Sequence, residues 1–355
     1  MRRLIPVLAL LFFTRCGPEI VFEETRFALG TYVTIKAWGE PDSLLKGAVN
    51  AAFREIDRID SLTSIFSTRS AVYQLNQEGK IVSAELAGLI EVALEVSAKS
   101  GGAFDPTVFP LLELWGFYDS TQYDPKLPPK EEIEEVLEFV DYRMVTIKGD
   151  TVRFDPERMQ GVLLVLRAGS PAGYVVTGWG MDLGGIAKGY AVDRAVKVLR
   201  EQGIERGIVD AGGDIFCFGK RRIGWFALTF AKAKTKWSIG IRHPRSANPN
   251  ETIGVIRVDS GAIATSGDYE NYFEVDGIRY HHLMDPATGM PARGVISATV
   301  LAPTATQADA WATALFVLGE EGITLLEGLE GFEGSIVLED KNILTTKGFP
   351  ELKER

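Results

Sequence analysis

The order in which two periodicities follow one another most constrains how this chain can fold. Segments that alternate every second residue and segments that repeat every three to four succeed each other without a fixed repeat length. Residues 31–38 alternate as a strand. Residues 43–60 put Leu45, Val49, Ala52, Ile56 and Ile59 on one helical face, and 61–67 break that helix. Residues 85–99 form a second helix. Residues 131–140 form a third, opened by Pro128-Pro129, whose Ile133, Val136, Leu137 and Val140 oppose glutamates that read as a solvated face. A fourth helix covers 189–202 and stops at Gly203. A strand over 204–209 then runs into Asp210-Ala-Gly-Gly-Asp. Strands are expected at 238–242, 252–258 and 297–301, and a helix at 308–318 ended by Gly319. Residues 19–27 read as a short lead-in. A doubly wound sheet would repeat a βαβ unit. The irregular order predicts instead an α+β fold of mixed sheets with packed helices, in a single compact domain with room for two lobes.

Composition narrows the function. Apolar residues are 46% and charged residues 24% of 355, which excludes a disordered chain, a collagen, a coiled coil and a multi-span membrane protein. A formal charge of −10 disfavours nucleic acid as a partner, because phosphate binding needs clustered Lys and Arg. Two cysteines, Cys16 and Cys217, give no disulfide framework, and Cys217 in Asp214-Ile-Phe-Cys-Phe reads as an inert core thiol. The three histidines are His243, His281 and His282, so a three-histidine zinc site would need them all. This points metal chemistry to oxygen ligands.

The first residues read as an address. Arg2 and Arg3 precede an apolar run over 4–13, too short to span a bilayer, and Cys16-Gly-Pro follows. The cysteine at the expected cleavage point resembles a lipoprotein signal, although Phe13, Thr14 and Arg15 stand where that pattern has small residues. The expected organisation is a signal over 1–15, a tether over 16–26 and one domain over 27–350. The protein would be exported and held at the outer face of the inner membrane through a lipid on Cys16. Two apolar stretches, 161–178 and 223–236, read as loops or hairpin insertions without an assigned role.

Four segments carry chemistry. Asp182-Leu-Gly-Gly-Ile-Ala-Lys-Gly-Tyr-Ala-Val-Asp193 is a glycine turn running into a helix, where bare N–H groups and Lys188 attract phosphate. By itself it is equally a tight turn into a packed helix. Gly101-Gly-Ala-Phe-Asp-Pro, followed by Trp115-Gly-Phe, offers rings to a planar ligand, or simply a rigid turn with core aromatics. Ser266-Gly-Asp-Tyr and Tyr280-His-His-Leu-Met-Asp-Pro-Ala-Thr-Gly bring two imidazoles beside an Asp-Pro turn, and imidazole accepts a proton near neutral pH. Asp309 and Thr313, four apart on one helix face, present a carboxylate and a hydroxyl of the kind Mg²⁺ takes alongside waters and phosphate oxygens. Alone, Asp309 also reads as a first-turn acid complementing the helix dipole.

Taken together and in this order, these segments resemble the bacterial flavin transferases, the ApbE-type FAD:protein FMN transferase lipoproteins. Gly30-Thr31, residues 61–67, Leu75-Asn76, Leu114-Trp-Gly-Phe and Gly212-Gly-Asp extend the likeness over about residues 27–320. The resemblance implies transfer of FMN from FAD to a Thr or Ser of an acceptor protein, with AMP released and a phosphoester formed. It implies Mg²⁺ on Asp309, Thr313 and the Gly185 carbonyl, and His282 as the base with Asp285 orienting groups nearby. Lys188 and Asp182 would bind FAD, and Leu29, Phe66, Ala103, Phe104, Asp105 and His281 would line its ring pockets. Acceptors of this kind are subunits of membrane redox complexes. The alternatives are an FAD pyrophosphatase, which gives FMN and AMP, and a non-catalytic FAD-binding lipoprotein. No Gly-x-Gly-x-x-Gly follows an early strand, which disfavours a nicotinamide dinucleotide fold.

Overall fold

The computed structural model describes residues 20–118, 127–157, 178–219 and 236–353. Its centre is a sheet with strand order β1-β2-β6-β7-β10-β15-β16-β17. These strands are β1 (Ile20–Ala28), β2 (Thr31–Gly39), β6 (Arg206–Ala211), β7 (Asp214–Phe218), β10 (Gly261–Gly267), β15 (Val295–Ala302), β16 (Glu333–Leu338) and β17 (Ile343–Thr345). Every pairing between them is antiparallel. Smaller sheets are β3 (Lys80–Val82), β5 (Thr151–Phe154) and β4 (Val145–Lys148), then β8 (Trp237–Arg242) with β9 (Thr252–Val258), β11 (Tyr272–Val275) with β12 (Ile278–His281), and β13 (Met284–Asp285) with β14 (Met290–Pro291). The helices are α1 (Asp42–Thr63), α2 (Ala71–Glu78), α3 (Ala84–Lys99), α4 (Phe109–Leu114), α5 (Lys130–Leu137), α6 (Gly184–Glu201), α7 (Ala305–Leu318) and α8 (Glu320–Glu327). The α+β expectation is met.

Three apolar clusters account for the layering. α1, α6 and α7 bury one face of the large sheet, for example through Phe53, Ile56, Val192, Leu199, Leu315 and Phe316. The other face packs Cys217 and Ile263 against Ile239, Ile241, Ile256 and Val258 of the β8–β9 hairpin. Cys217 is therefore a buried core thiol, and burial pushes its pKa up to about 11. The third cluster joins α4 and α5 to the β11–β12 hairpin, with Trp115, Tyr280 and Phe273 stacked in series. Among the described residues no helix is long and apolar enough to cross a membrane.

Several boundaries differ from the sequence reading, each for a physical reason. Residues 20–28 are not a lead-in or tether; they pair with β2 along their whole length. The inward positions of β1 include Glu24 and Arg26, which hid the alternation. Arg26 satisfies itself by bonding Glu24 and Asn50 and by lying 4.4 Å over the Phe53 ring. α6 begins at Gly184, not Gly189, so both glycines expected in a turn form its first turn. α7 begins at Ala305, where Thr304 accepts the Gln307 N–H as an N-cap. α5 ends at Leu137, after which Phe139 and Val140 close turns by bonding back three residues. The signal over 1–15 and Cys16 lie outside the described residues, as do the apolar stretches 161–178 and 223–236 apart from Gly178 and Lys236.

One contact positions the site. A Cβ on Gly189 would stand 2.1 Å from the Ala305 carbonyl oxygen and 2.8 Å from Asp309 Cβ. Only glycine lets α6 and α7 approach this closely. Asn76 on α2 fixes the approach to α6, since its amide donates to the Met181 carbonyl at 2.9 Å and accepts the Met181 N–H at 2.8 Å. Gly189→Ala is expected to destabilise the protein by about 3 kcal/mol in urea titrations, through forced separation of the two helices.

Candidate active site

Between the helix-backed sheet and the aromatic cluster of α4, α5 and β11–β12 lies a cavity of about 630 Å³. That is an ordinary size for a small-molecule site. Its floor is the α6–α7 crossing. Lys188 Nζ stands 2.9 Å from Asp214 Oδ2 and 3.1 Å from Asp309 Oδ1, and donates also to the Gly184 carbonyl at 3.2 Å. Asp214 and Asp309 are each 2% exposed, so two carboxylates share one ammonium away from water. Burial opposes the charge on Lys188, but the two carboxylates outweigh it and hold the ammonium above its ordinary pKa. Burial and the charge of Asp309 push the Asp214 carboxyl well above the usual range.

Asp309 also accepts the Gly189 N–H at 3.0 Å. In a regular helix that donor would serve the Gly185 carbonyl alone. A Cβ on Gly185 would stand 3.2 Å from Thr313 Oγ1, and that hydroxyl lies 3.3 Å from Ser266 Oγ. Gly185, Asp309 and Thr313 thus converge at one end of the cavity. Among the described residues no group of three or more His, Cys, Asp or Glu forms a cage. One carboxylate, one hydroxyl and one carbonyl fit Mg²⁺, which keeps waters and takes substrate oxygens.

His282 lines the same cavity. Its Nδ1 lies 3.2 Å from the Asn271 carbonyl, which can only accept. The neutral ring therefore carries its proton on Nδ1 and offers Nε2 as an acceptor. Burial lowers its pKa to about 4. Across the cavity Asp182 accepts the Tyr118 hydroxyl and the Gly184 N–H. The first-turn donor that the sequence reading left for phosphate is thus already capped by a carboxylate. Burial first, then the charge of Asp182, keep the Tyr118 phenol protonated.

Leu29, Phe66, Ala103, Phe104 and Asp105 line the cavity. Leu29 adopts a φ of +54°, rare for a branched side chain, and donates its N–H to Asp60 Oδ2 at 3.1 Å. The Asp105 carboxylate is committed to the Thr107 N–H and hydroxyl and the Tyr142 N–H, so it braces the loop. Burial raises its pKa to about 6 despite those bonds.

Two expected residues stand elsewhere. His281 is buried behind the wall, edge-on to Phe316, with Nε2 donating to the Ala292 carbonyl at 2.9 Å. His281 is the last residue of β12 and His282 lies just past it, and only His282 faces the cavity. Asp285 does not line the cavity. Its oxygens accept the Ala287 N–H and the Thr288 hydroxyl, each at 2.9 Å, and so close the turn between β13 and β14. It orients that turn, not the imidazole. Sequence reasoning gave no role to Asp214, although Gly212-Gly-Asp was noticed. It missed Tyr118 and the Asn271 carbonyl, for which no residue-type signal exists.

Burial lowers the His281 pKa to about 4, so its stabilising contribution is complete above 6.5 and is lost as pH falls through 6.5 towards 4. His281→Gln keeps a donor for Ala292 and cannot titrate. Between pH 7 and 4.5 the variant should lose less unfolding free energy than the wild type, by an amount on the order of 1–3 kcal/mol, in paired urea titrations.

Comparison with known proteins fits this geometry. The profile described as the ApbE family matches residues 29–335. The chain is 31% identical to the FAD:protein FMN transferase of Treponema pallidum, covering 92% of this chain and 87% of that protein. It is 34% identical to the Vibrio cholerae protein of the same name, covering 76% and 72%. Among solved structures, the ApbE protein of Thermotoga maritima superimposes with a TM-score of 0.79 at 35% identity, covering 95% of this chain and 100% of that one. The flavin transferase ApbE of Vibrio cholerae gives 0.74 at 28% identity, covering 94% and 99%.

Proposed function

The chain belongs to the ApbE family, and from that premise we propose that it transfers the FMN half of FAD to a serine or threonine hydroxyl of an acceptor protein. The relatives' shared activity supports flavin transfer. The observation that carries the finer reading is the cavity floor: one ammonium held between two buried carboxylates, in the same cavity as a neutral imidazole.

The reaction divides among these groups as follows. The acceptor oxygen bonds to the flavin-side phosphorus of FAD. The bond from that phosphorus to the bridging oxygen breaks, and AMP leaves with that oxygen. The hydroxyl proton goes to His282 Nε2, which the Asn271 carbonyl keeps in the accepting tautomer. Lys188 supplies fixed positive charge beside the splitting diphosphate, already oriented by Asp214 and Asp309. Asp309, Thr313 and the Gly185 carbonyl would hold Mg²⁺, which supplies charge stabilisation for the phosphate oxygens. Leu29, Phe66, Phe104 and Tyr118 exclude water around the flavin or adenine ring, and Asp182 meets a polar edge of the cofactor.

Domain limits and location belong to the same proposal. The transferase domain runs to about residue 350 and takes in β1 from Ile20, which the sequence reading had left outside a domain over 27–350. The basic and apolar residues 2–13 and Cys16 support export and lipid anchoring at the outer face of the inner membrane. The acceptor would be a subunit of a membrane redox complex facing that side.

The test is purified protein with FAD, Mg²⁺ and an acceptor domain, read as an FMN-sized mass gain and AMP release. Modification that stops with chelator supports the reading. AMP without modification makes the protein a pyrophosphatase, and intact bound FAD makes it a binder. Asp309→Ala should reduce transfer at least about 100-fold while the protein stays folded, since Asp214 still pairs Lys188. His282→Ala should lower kcat by about 10²–10⁴ while FAD affinity, read by fluorescence quenching, stays within a few-fold.

A further inference from the structure

The turn between β1 and β2 enters the cavity. Leu29, Gly30 and Thr31 line it, and a Cβ on Gly212 would stand 2.4 Å from Thr31 Oγ1. The turn thus packs beside the loop that presents Asp214, at the cavity end where Lys188 and Asp309 meet. Directly behind it on the outward face of the hairpin, Phe27 and Tyr32 are cross-strand partners with ring centroids 5.6 Å apart, edge to face. They are 68% and 71% exposed, and Phe66 on the cavity rim is 69% exposed.

The exposure is local. The next two pairs along the same face are polar, with Thr25 and Thr34 hydroxyls at 2.8 Å and Lys36 to Glu23 at 2.9 Å, before Val21 pairs with Trp38 at the far end. Neither Phe27 nor Tyr32 lines the cavity, so FAD binding does not account for them, nor does core packing. An exposed pair of aromatic rings beside a turn that lines a cavity is a usual kind of anchor for a protein interface. Transfer to a protein requires a second polypeptide whose hydroxyl enters this cavity, and its flanking residues must then cover the rim.

We propose that Phe27 and Tyr32 are the docking surface for the acceptor protein, receiving an apolar side chain close in sequence to the reacting hydroxyl. The pair sits two strand positions from the turn, about 7 Å at 3.3 Å per residue. An extended acceptor segment spans that in two to three residues. The inference rests on the transferase reading and deepens it by naming the surface that selects the partner.

The test uses an acceptor domain of a membrane redox complex together with the double variant Phe27→Thr, Tyr32→Thr, which keeps strand-forming residues at both positions. The wild type modifying that domain is the control for the transferase reading, and its failure to do so removes both. With the control met, the variant should raise KM for the acceptor at least tenfold, while kcat at saturating acceptor, FAD affinity and acceptor-free AMP release stay within twofold. An unchanged acceptor KM overturns the inference and leaves the transferase reading standing. An unchanged KM with weakened binding to phosphatidylcholine vesicles overturns it in favour of membrane contact. A parallel loss of FAD affinity overturns it in favour of a role in the cavity.

Discussion

The backbones of α6 and α7 nearly touch beside the point where Lys188 meets the buried Asp309. Gly189 provides that approach, because any side chain there would overlap the first turn of α7. From this contact follow the Lys188–Asp309 pair, the convergence of Gly185 with Thr313, and the bond from the Gly189 N–H to Asp309. The large antiparallel sheet then adds Asp214 from the start of β7, completing a floor of one cation and two carboxylates. Every other wall of the cavity is hung around that floor.

The floor is electrostatically unfinished by itself. Two buried carboxyl groups share one ammonium, and burial and the charge of Asp309 drive Asp214 towards its neutral form. Such an arrangement suits a site that receives a cation together with a polyanion, because each offsets what the other brings. His282 faces the same space in a fixed tautomer, while its neighbour His281 holds the wall in place. One adjacent pair of histidines thus divides at the end of β12 into a cavity-lining group and a packing group.

Most of the helical layer was legible because its apolar stripes are regular, as in 43–60 and 85–99. β1 was not, since its inward Glu24 and Arg26 are satisfied by partners that the sequence cannot reveal. The start of α6 was misplaced because glycine weakens a helix in isolation, whereas packing against α7 requires it there. Asp309 and Thr313 were legible as a pair from their helical spacing and Lys188 from its glycine turn, whereas Gly185 entered only through the family resemblance. Asp285 spends its oxygens on its own turn, a use that an aspartate in Asp-Pro-Ala-Thr-Gly has as readily as one in a site. Tyr118 and Asn271 act through a hydroxyl and a backbone carbonyl whose placement is entirely tertiary.

The central claim is that the α6–α7 floor is the phosphate end of the cavity. A crystal structure of the protein with FAD and Mg²⁺ tests it most directly. The account requires the diphosphate beside Lys188 and Asp309, the metal touching Asp309 and Thr313, and His282 Nε2 facing the flavin-side phosphorus. A diphosphate at the Phe104–Asp105 wall, or FAD bound outside this cavity, would contradict it.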